Sequence, residues 1–330
     1  MRGSLPLLVF VAAACGGGGG SLPDGAPPPI DAEVLPDVYV PPPDAAPPDA
    51  QVIDVDCASI PAGPFTLTRV PDTEAIASED LAFDGDGNLV GSNDTSIFKS
   101  PRTGMRKTFV SSLSFRAGMR FAANGDLLVN NDSNGSLVRV LPTGDKTPIL
   151  TGLSYPNGME AGLDGFIYIT EHDAKRVRRV NPVTGEFTVI SNNQIDNPNG
   201  ITFNPDYTAL YIDGFSGVGT IYKLPIDAAG NPGELVPWAT GVGTGYLDGM
   251  AVDACGNLYV ADYGASIIYR ISPDGQTKTP IIQSEIYMPN MQWGSGIGGW
   301  ELTHLYIPSG WDHDVWEVDV GVPAKPRPFP

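Results

Sequence analysis

From residue 79 onward the chain alternates apolar and polar positions in short runs, each broken by a Gly/Asn/Asp turn. "DGMAVDACGNLYVAD" from Asp248 is an example. Alternation with a period of two predicts antiparallel strands rather than helices. The same opening recurs as "EDLAFDGDGNLVGSN" at Glu79, "AGMRFAANGDLLVNN" at Ala117, "NGMEAGLDGFIYITE" at Asn157 and "NGITFNPDYTALYID" at Asn199, so that the five starts lie 38, 40, 42 and 49 residues apart. A sixth and shorter copy, "GGWELTHLYIPSG", is read from Gly298. Each unit continues with a third strand such as "SIIYRISPDG" and a fourth such as "TPIIQSE". Four short strands every forty or so residues is the signature of propeller blades. The pattern therefore predicts an all-β fold, a six-bladed β-propeller of four-stranded antiparallel blades over residues 63–330. The last unit has only three strands, ending at "DVWEVDVG", while "PFTLTRV" (Pro64–Val70) is left over before the first. That N-terminal strand is expected to complete the last blade, closing the ring and removing its open edges.

Composition agrees with this reading. The chain has 40 Gly, 32 Pro and only 17% charged residues, rich in turns and poor in the Ala/Glu/Lys/Leu runs that long helices need. Ahead of the repeats, "MRGSLPLLVFVAAACGGGGG" resembles a bacterial lipoprotein signal, in which residues 1–14 are removed and Cys15 becomes the acylated N-terminus. The plain alternative is a secretory signal with an incidental cysteine. The apolar run Leu5–Val11 is too short to span a bilayer as a helix. Residues 15–62 are mostly Gly, Pro, Ala and Asp and read as a partly extended, disordered tether. Lipid on Cys15 would place the protein at the bacterial cell envelope, at the outer membrane or exported, touching membrane only through its anchor, and as a monomer. A net charge of −19 argues against nucleic acid or an anionic membrane surface as partner and leaves cations and neutral solutes. With Cys15 lipidated, Cys57 and Cys255 either pair in an oxidising compartment or remain free thiols.

Innermost propeller strands begin near the mouth of the central channel, so the residues before them converge. In repeat order these are Glu79, Ala117, Asn157, Asn199 and Asp248, and four of the five are oxygen donors. Hairpin-capping polar residues would include Ser, Thr and Gly as readily as Glu. Two carboxylates and two amides without His or Cys form a hard donor set, suited to Ca²⁺ first and to Mg²⁺ or Mn²⁺ next.

Repeats carrying "PNG", "LDGMAVDACGNLYVAD" and "GIGGWELTHLYIPSG" resemble the regucalcin/gluconolactonase (senescence marker protein) family of six-bladed propellers over residues 64–321. That resemblance implies one divalent cation at the channel mouth, calcium or zinc in most members, and hydrolysis of a small-molecule lactone or related ester. Glu79, Asn199 and Asp248 match the family's metal ligands, Asp248 also its acid/base, and Asn157 the asparagine beside the substrate. Two departures matter. The first-blade motif is Glu79-Asp80-Leu81 where the family has Glu-Gly-Pro, and Tyr155 replaces the substrate arginine of the sugar-lactone members, pointing to a less polar substrate. Propellers of the NHL type share the "YRISPDG" texture and serve as non-catalytic binding modules, the competing function.

Other features carry less. His172, His304 and His313 share no repeat position and read as rim or packing residues. The basic run in "TEHDAKRVRR" reads as an exposed strand. Trp293, Trp300, Trp311 and Trp316 read as blade packing, with Trp293 or Trp300 as candidates to line the channel.

Overall fold

The computed structural model describes residues 55–93, 95–113, 117–131 and 133–327. Cys15 and the signal and most of the tether therefore lie outside the described residues. Those described form six four-stranded antiparallel sheets, without a helix. Blades one to five each run outward from the channel in chain order, starting at Leu81–Phe83, Met119–Phe121, Pro156–Ala161, Pro198–Phe203 and Leu247–Val252.

Blade six closes the ring as the leftover strand requires. Thr68–Arg69 pairs antiparallel with Val315–Asp319, with Thr68 opposite Glu317 and Arg69 opposite Trp316. The N-terminal strand is shorter than Pro64–Val70, because Phe65 instead bridges Ile282 of blade five. The start of the sixth repeat differs from the sequence reading. Its innermost strand is Gln292–Trp293, and "GGWELTHLYIPSG" holds a turn and the second strand, His304–Pro308. Gly298 and Gly299 have φ of 67° and 89°, which belongs to turns rather than strands, and Trp300 is buried against Phe83 and Tyr306.

The core lies between blades. Second strands are buried along their whole length in blades two to five, as in Leu127–Asn131 and Ile167–Glu171, because each is covered by the neighbouring blades on both faces. Every Leu or Ile side chain so buried contributes about 1.5–3 kcal/mol. Cys57 and Cys255 are joined in a disulfide with their Cα atoms 5.7 Å apart, fastening the start of the described chain to the fifth repeat's turn.

The basic run is not an exposed face. Arg176 and Arg178 both bind the buried carboxylate of Glu171, and Arg179 holds Asp164 at 2.7 Å. A carboxylate taken out of water is stabilised only by such pairing, which a linear reading of charges cannot see.

The C-terminal segment turns back into the far end of the channel. The backbone N–H of Lys325 donates to the Val252 carbonyl at 2.9 Å, and Tyr207 donates its hydroxyl to the Pro326 carbonyl at 2.8 Å. Lys325 and Arg327 thereby line a cavity with Arg120, Glu160, Thr202 and Trp293.

Candidate active site at the channel mouth

The innermost strands of blades three, four and five start earlier than expected, at Pro156, Pro198 and Leu247. Each ladder then slips, between Pro156 and Met159, Pro198 and Ile201, and Leu247 and Met250. Such bulges release a residue from the pleat and re-aim its side chain. Here the released residues are Asn157, Asn199 and Asp248, and they line one cavity with Glu79 and Asn290. The structure thus brings together all four oxygen-bearing residues of the repeat position. Ala117, the fifth, is fully buried. Tyr155 stands apart from the cavity lining, 42% exposed on the rim two residues before Asn157.

Close backbone contacts hold this collar. A methyl group on Gly158 would lie 2.3 Å from the Asn199 carbonyl oxygen, and one on Gly200 would lie 2.2 Å from that of Asp248. Only glycine lets adjacent blades approach so closely. Between them, the Thr170 hydroxyl accepts the Gly158 N–H at 2.8 Å and donates to the Asn199 carbonyl at 2.7 Å. Asp213 occupies the matching place in blade four, and its Oδ1 accepts the Gly200 N–H at 2.8 Å. Its Oδ2 is buried without a hydrogen-bond partner. Burial, and after it the charge of Asp248, pushes the Asp213 carboxyl well above the ordinary carboxylate range.

Asp248 itself is buried, and its carboxyl is pushed up to about 7, chiefly by burial. A hydrogen bond from Asn199 works against that rise, while the charge of Asp80 adds to it. None of the ion pairs found among the described residues holds Asp248. Asn199 is buried too, with Oδ1 lacking a partner. An orphaned amide oxygen beside a strained carboxylate, with half-buried Glu79 on the same cavity, fits a hard divalent cation: the cation would accept the amide oxygen and favour ionised Asp248. The described residues hold no cluster of three or more His, Cys, Asp or Glu side chains suited to a metal, so the amide oxygens are needed to complete the set.

Two residues of the collar were not singled out from sequence. Asp80 and Asn290 stand where blades two to five have Gly118, Gly158, Gly200 and Gly249, and each accepts the N–H of the following residue, at 2.8 and 2.9 Å. Asp80 also accepts from the Met119 N–H at 2.9 Å and pairs with Arg120 at 2.6 Å, tying blade one to blade two. The signal was the break in the glycine column. Asp213 was signalled by a lone carboxylate in an otherwise apolar run, "ALYID".

The same architecture recurs in known proteins. The family described as "SMP-30/Gluconolactonase/LRE-like region" matches residues 100–310, and the chain belongs to this family. A 6-deoxy-6-sulfogluconolactonase from Pseudomonas putida is 34% identical over 116 residues, which are 34% of this chain and 37% of that protein. The similarity thus spans little more than a third of that relative's length. In fold, the chain is similar to a gluconolactonase from Xanthomonas campestris, with a TM-score of 0.67 at 20% identity over 82% of this chain and 93% of that one. It is equally similar to a calcium-binding regucalcin from Agrobacterium tumefaciens, with a TM-score of 0.67 at 19% identity over 81% and 98% of the two chains.

Proposed function

We propose that the protein is a divalent-cation-dependent hydrolase of a lactone or related ester, lipid-anchored through Cys15 at the bacterial cell envelope and monomeric. The observation that carries the reading is the convergence of Glu79, Asn199 and Asp248 on one cavity, with the Asn199 amide oxygen orphaned and Asp248 buried outside every ion pair found among the described residues, the nearby Arg120 being taken by Asp80. Family membership supports lactone chemistry, as does the lactonase activity in the name of the Pseudomonas relative. The calcium-binding description of the Agrobacterium protein supports Ca²⁺ as the cation, with Mg²⁺, Mn²⁺ or Zn²⁺ as competitors.

Glu79, Asn199 and Asp248 would hold the cation. When bound, it supplies Lewis acidity toward the substrate carbonyl and toward water. Asp248 orients the attacking water and takes its proton as the new C–O bond forms. The ring C–O bond then breaks, and Asp248 returns the proton to the leaving oxygen, so that water and lactone give a hydroxy acid. Asn157, on the wall of the same cavity as Asp248, orients the substrate. The C-terminal segment with Lys325 and Arg327 lines the far end of the channel, and the mouth, where the collar lies, is taken as the route of entry.

Hydrolysis of δ-valerolactone, dihydrocoumarin and glucono-δ-lactone by the full chain, with Ca²⁺ and with excess chelator, tests the reading. Turnover that needs the cation and vanishes in Asp248→Ala supports it. No turnover with any of the three in any metal would leave a binding propeller as the better account. Metabolic labelling with palmitate, lost in Cys15→Ser, tests the anchor.

A further inference from the structure

Above the collar the repeat places a second set of equivalent positions. Two residues before Asn157, Asn199, Asp248 and Pro289, the last being the blade-six position whose carbonyl accepts the Gly249 N–H at 2.7 Å, the carbonyl of Tyr155, Asn197, Tyr246 or Tyr287 accepts a backbone N–H at 2.9–3.0 Å from His172, Phe215, Tyr263 or Gly310, at the exit of the second strand. The bond recurs in blades three to six and fixes eight positions on the mouth side. Six of these eight carry rings, and Trp311 follows Gly310.

The rings form one contiguous arc. Tyr155, His172 and Phe215 are 5.1 and 6.3 Å apart in sequence, Phe215 meets Tyr246 at 5.4 Å and Tyr263 at 6.1 Å, and Tyr263, Tyr287 and Trp311 follow at 5.3 and 5.2 Å. Four of them are left in water: Tyr155 is 42% exposed, Tyr246 51%, Tyr287 39% and Trp311 68%. Trp311 is therefore not blade packing, in contrast to Trp300. The arc adjoins the candidate site through the chain itself, since Tyr155 and Tyr246 each stand two residues before a lining residue, Asn157 and Asp248.

The surrounding charges restrict what the arc can hold. Lys175, whose backbone N–H donates to the His172 carbonyl, has its ammonium paired with Asp196 at 2.7 Å. The adjoining cavity carries the carboxylates of Glu79 and Asp248, its Arg120 is paired with Asp80, and the chain has a net charge of −19, so an anionic substrate would be repelled. Ring faces reward stacking and apolar burial.

We propose that this arc is the specificity surface of the hydrolase and selects uncharged lactones or esters that bear an aryl or long alkyl group. The inference rests on the hydrolase reading and names its substrate class. Tyr155 is one part of a rim that is aromatic in four consecutive blades.

Binding of non-hydrolysable lactams to the full chain, with Ca²⁺ present, tests it by calorimetry. The aryl probe is dihydroquinolinone, the lactam of dihydrocoumarin, and the bare probe is δ-valerolactam. Wild type should bind the aryl lactam about tenfold more tightly, a difference of about 1.4 kcal/mol. The ratio should fall toward one in the Tyr246→Ala, Tyr287→Ala double variant and persist in Tyr246→Phe, with far-UV circular dichroism unchanged throughout. Equal binding of the two lactams by wild type, or an unchanged ratio in the double variant, would overturn the proposal. An intact ratio without turnover of any lactone would sink the catalytic reading alone, whereas cation-dependent turnover of δ-valerolactone with no aryl preference would sink the arc alone.

Discussion

The two ends of the channel are built from the same innermost strands and treat buried charge in opposite ways. At the far end, Glu160 is paired with Lys325 at 3.4 Å, and Lys325 also donates to Thr202 at 2.8 Å. The Arg327 guanidinium donates to the Trp293 carbonyl, and burial, followed by the charge of Arg120, lowers its pKa to about 10. The chain brings its own cations there, on a segment threaded back into the ring. At the mouth, Arg120 also reaches the cavity wall but is paired with Asp80, Asp248 forms none of the ion pairs found among the described residues, and its carboxyl is driven up to about 7, mainly by burial. Asp80, only one residue from Glu79, belongs with the far end in this respect, because Arg120 neutralises it at 2.6 Å. Burial alone therefore does not mark a functional acid. What separates Asp248 from Glu160 and Asp80 is the missing partner, which a cation from solution is suited to supply.

The contrast is broken most directly by exchanging its acids. Asp248→Asn should lower kcat/KM for lactone hydrolysis by about 10²–10⁴-fold, since it removes a proton acceptor and a charged ligand together. Steady-state kinetics at saturating Ca²⁺ measures this. At the other end, Lys325→Met leaves Glu160 buried without its cation and should cost about 3–5 kcal/mol of stability in urea unfolding, while Ca²⁺ affinity is preserved.

A pH series sharpens the same comparison. Asp248 has a folded pKa near 7 against 3.8 for its ordinary value, so between these values the native state holds a proton that the unfolded chain has released. Stability of the chelator-treated protein should therefore be highest at the acid end of this window and fall by up to roughly 4 kcal/mol as pH rises from 4 to 7. Ca²⁺ should reverse that trend, its affinity climbing with pH and levelling above about 7, because protons compete for the same carboxylate. Thermal melts with and without Ca²⁺ check both signs, and Asp248→Asn should flatten the pH dependence. The smallest effect belongs to Gly200→Ala: a methyl placed 2.2 Å from the Asp248 carbonyl oxygen forces the collar apart, for about 1–3 kcal/mol and a weaker site.

Much of this architecture was legible from the chain because the propeller repeats its chemistry at fixed intervals. The collar could be read as a column through five repeats, and the leftover N-terminal strand located the closure of the ring. The sixth repeat was misplaced because its two-residue inner strand gives almost no alternation, while the more conspicuous Trp300 packs between blades instead of starting one. Asp80, Asp213 and the buried arginine pairs were missed for another reason. Their partners come from other strands or blades, as Arg120 does for Asp80, and no local pattern announces a bond between them. Trp311 was assigned to packing because tryptophan is usually buried. Its contact with the Tyr287 ring at 5.2 Å and its exposure show instead that it extends a rim.

Calorimetric titration of Ca²⁺, then Mg²⁺ and Zn²⁺, into the full-length protein beside Asp248→Ala and Glu79→Ala addresses the collar most directly. One cation bound per chain, with binding lost or weakened at least about tenfold in both variants, is the predicted result. Absence of binding by wild type, or binding unaltered in both variants, would contradict a cation held by the collar and with it the hydrolase built on that cation.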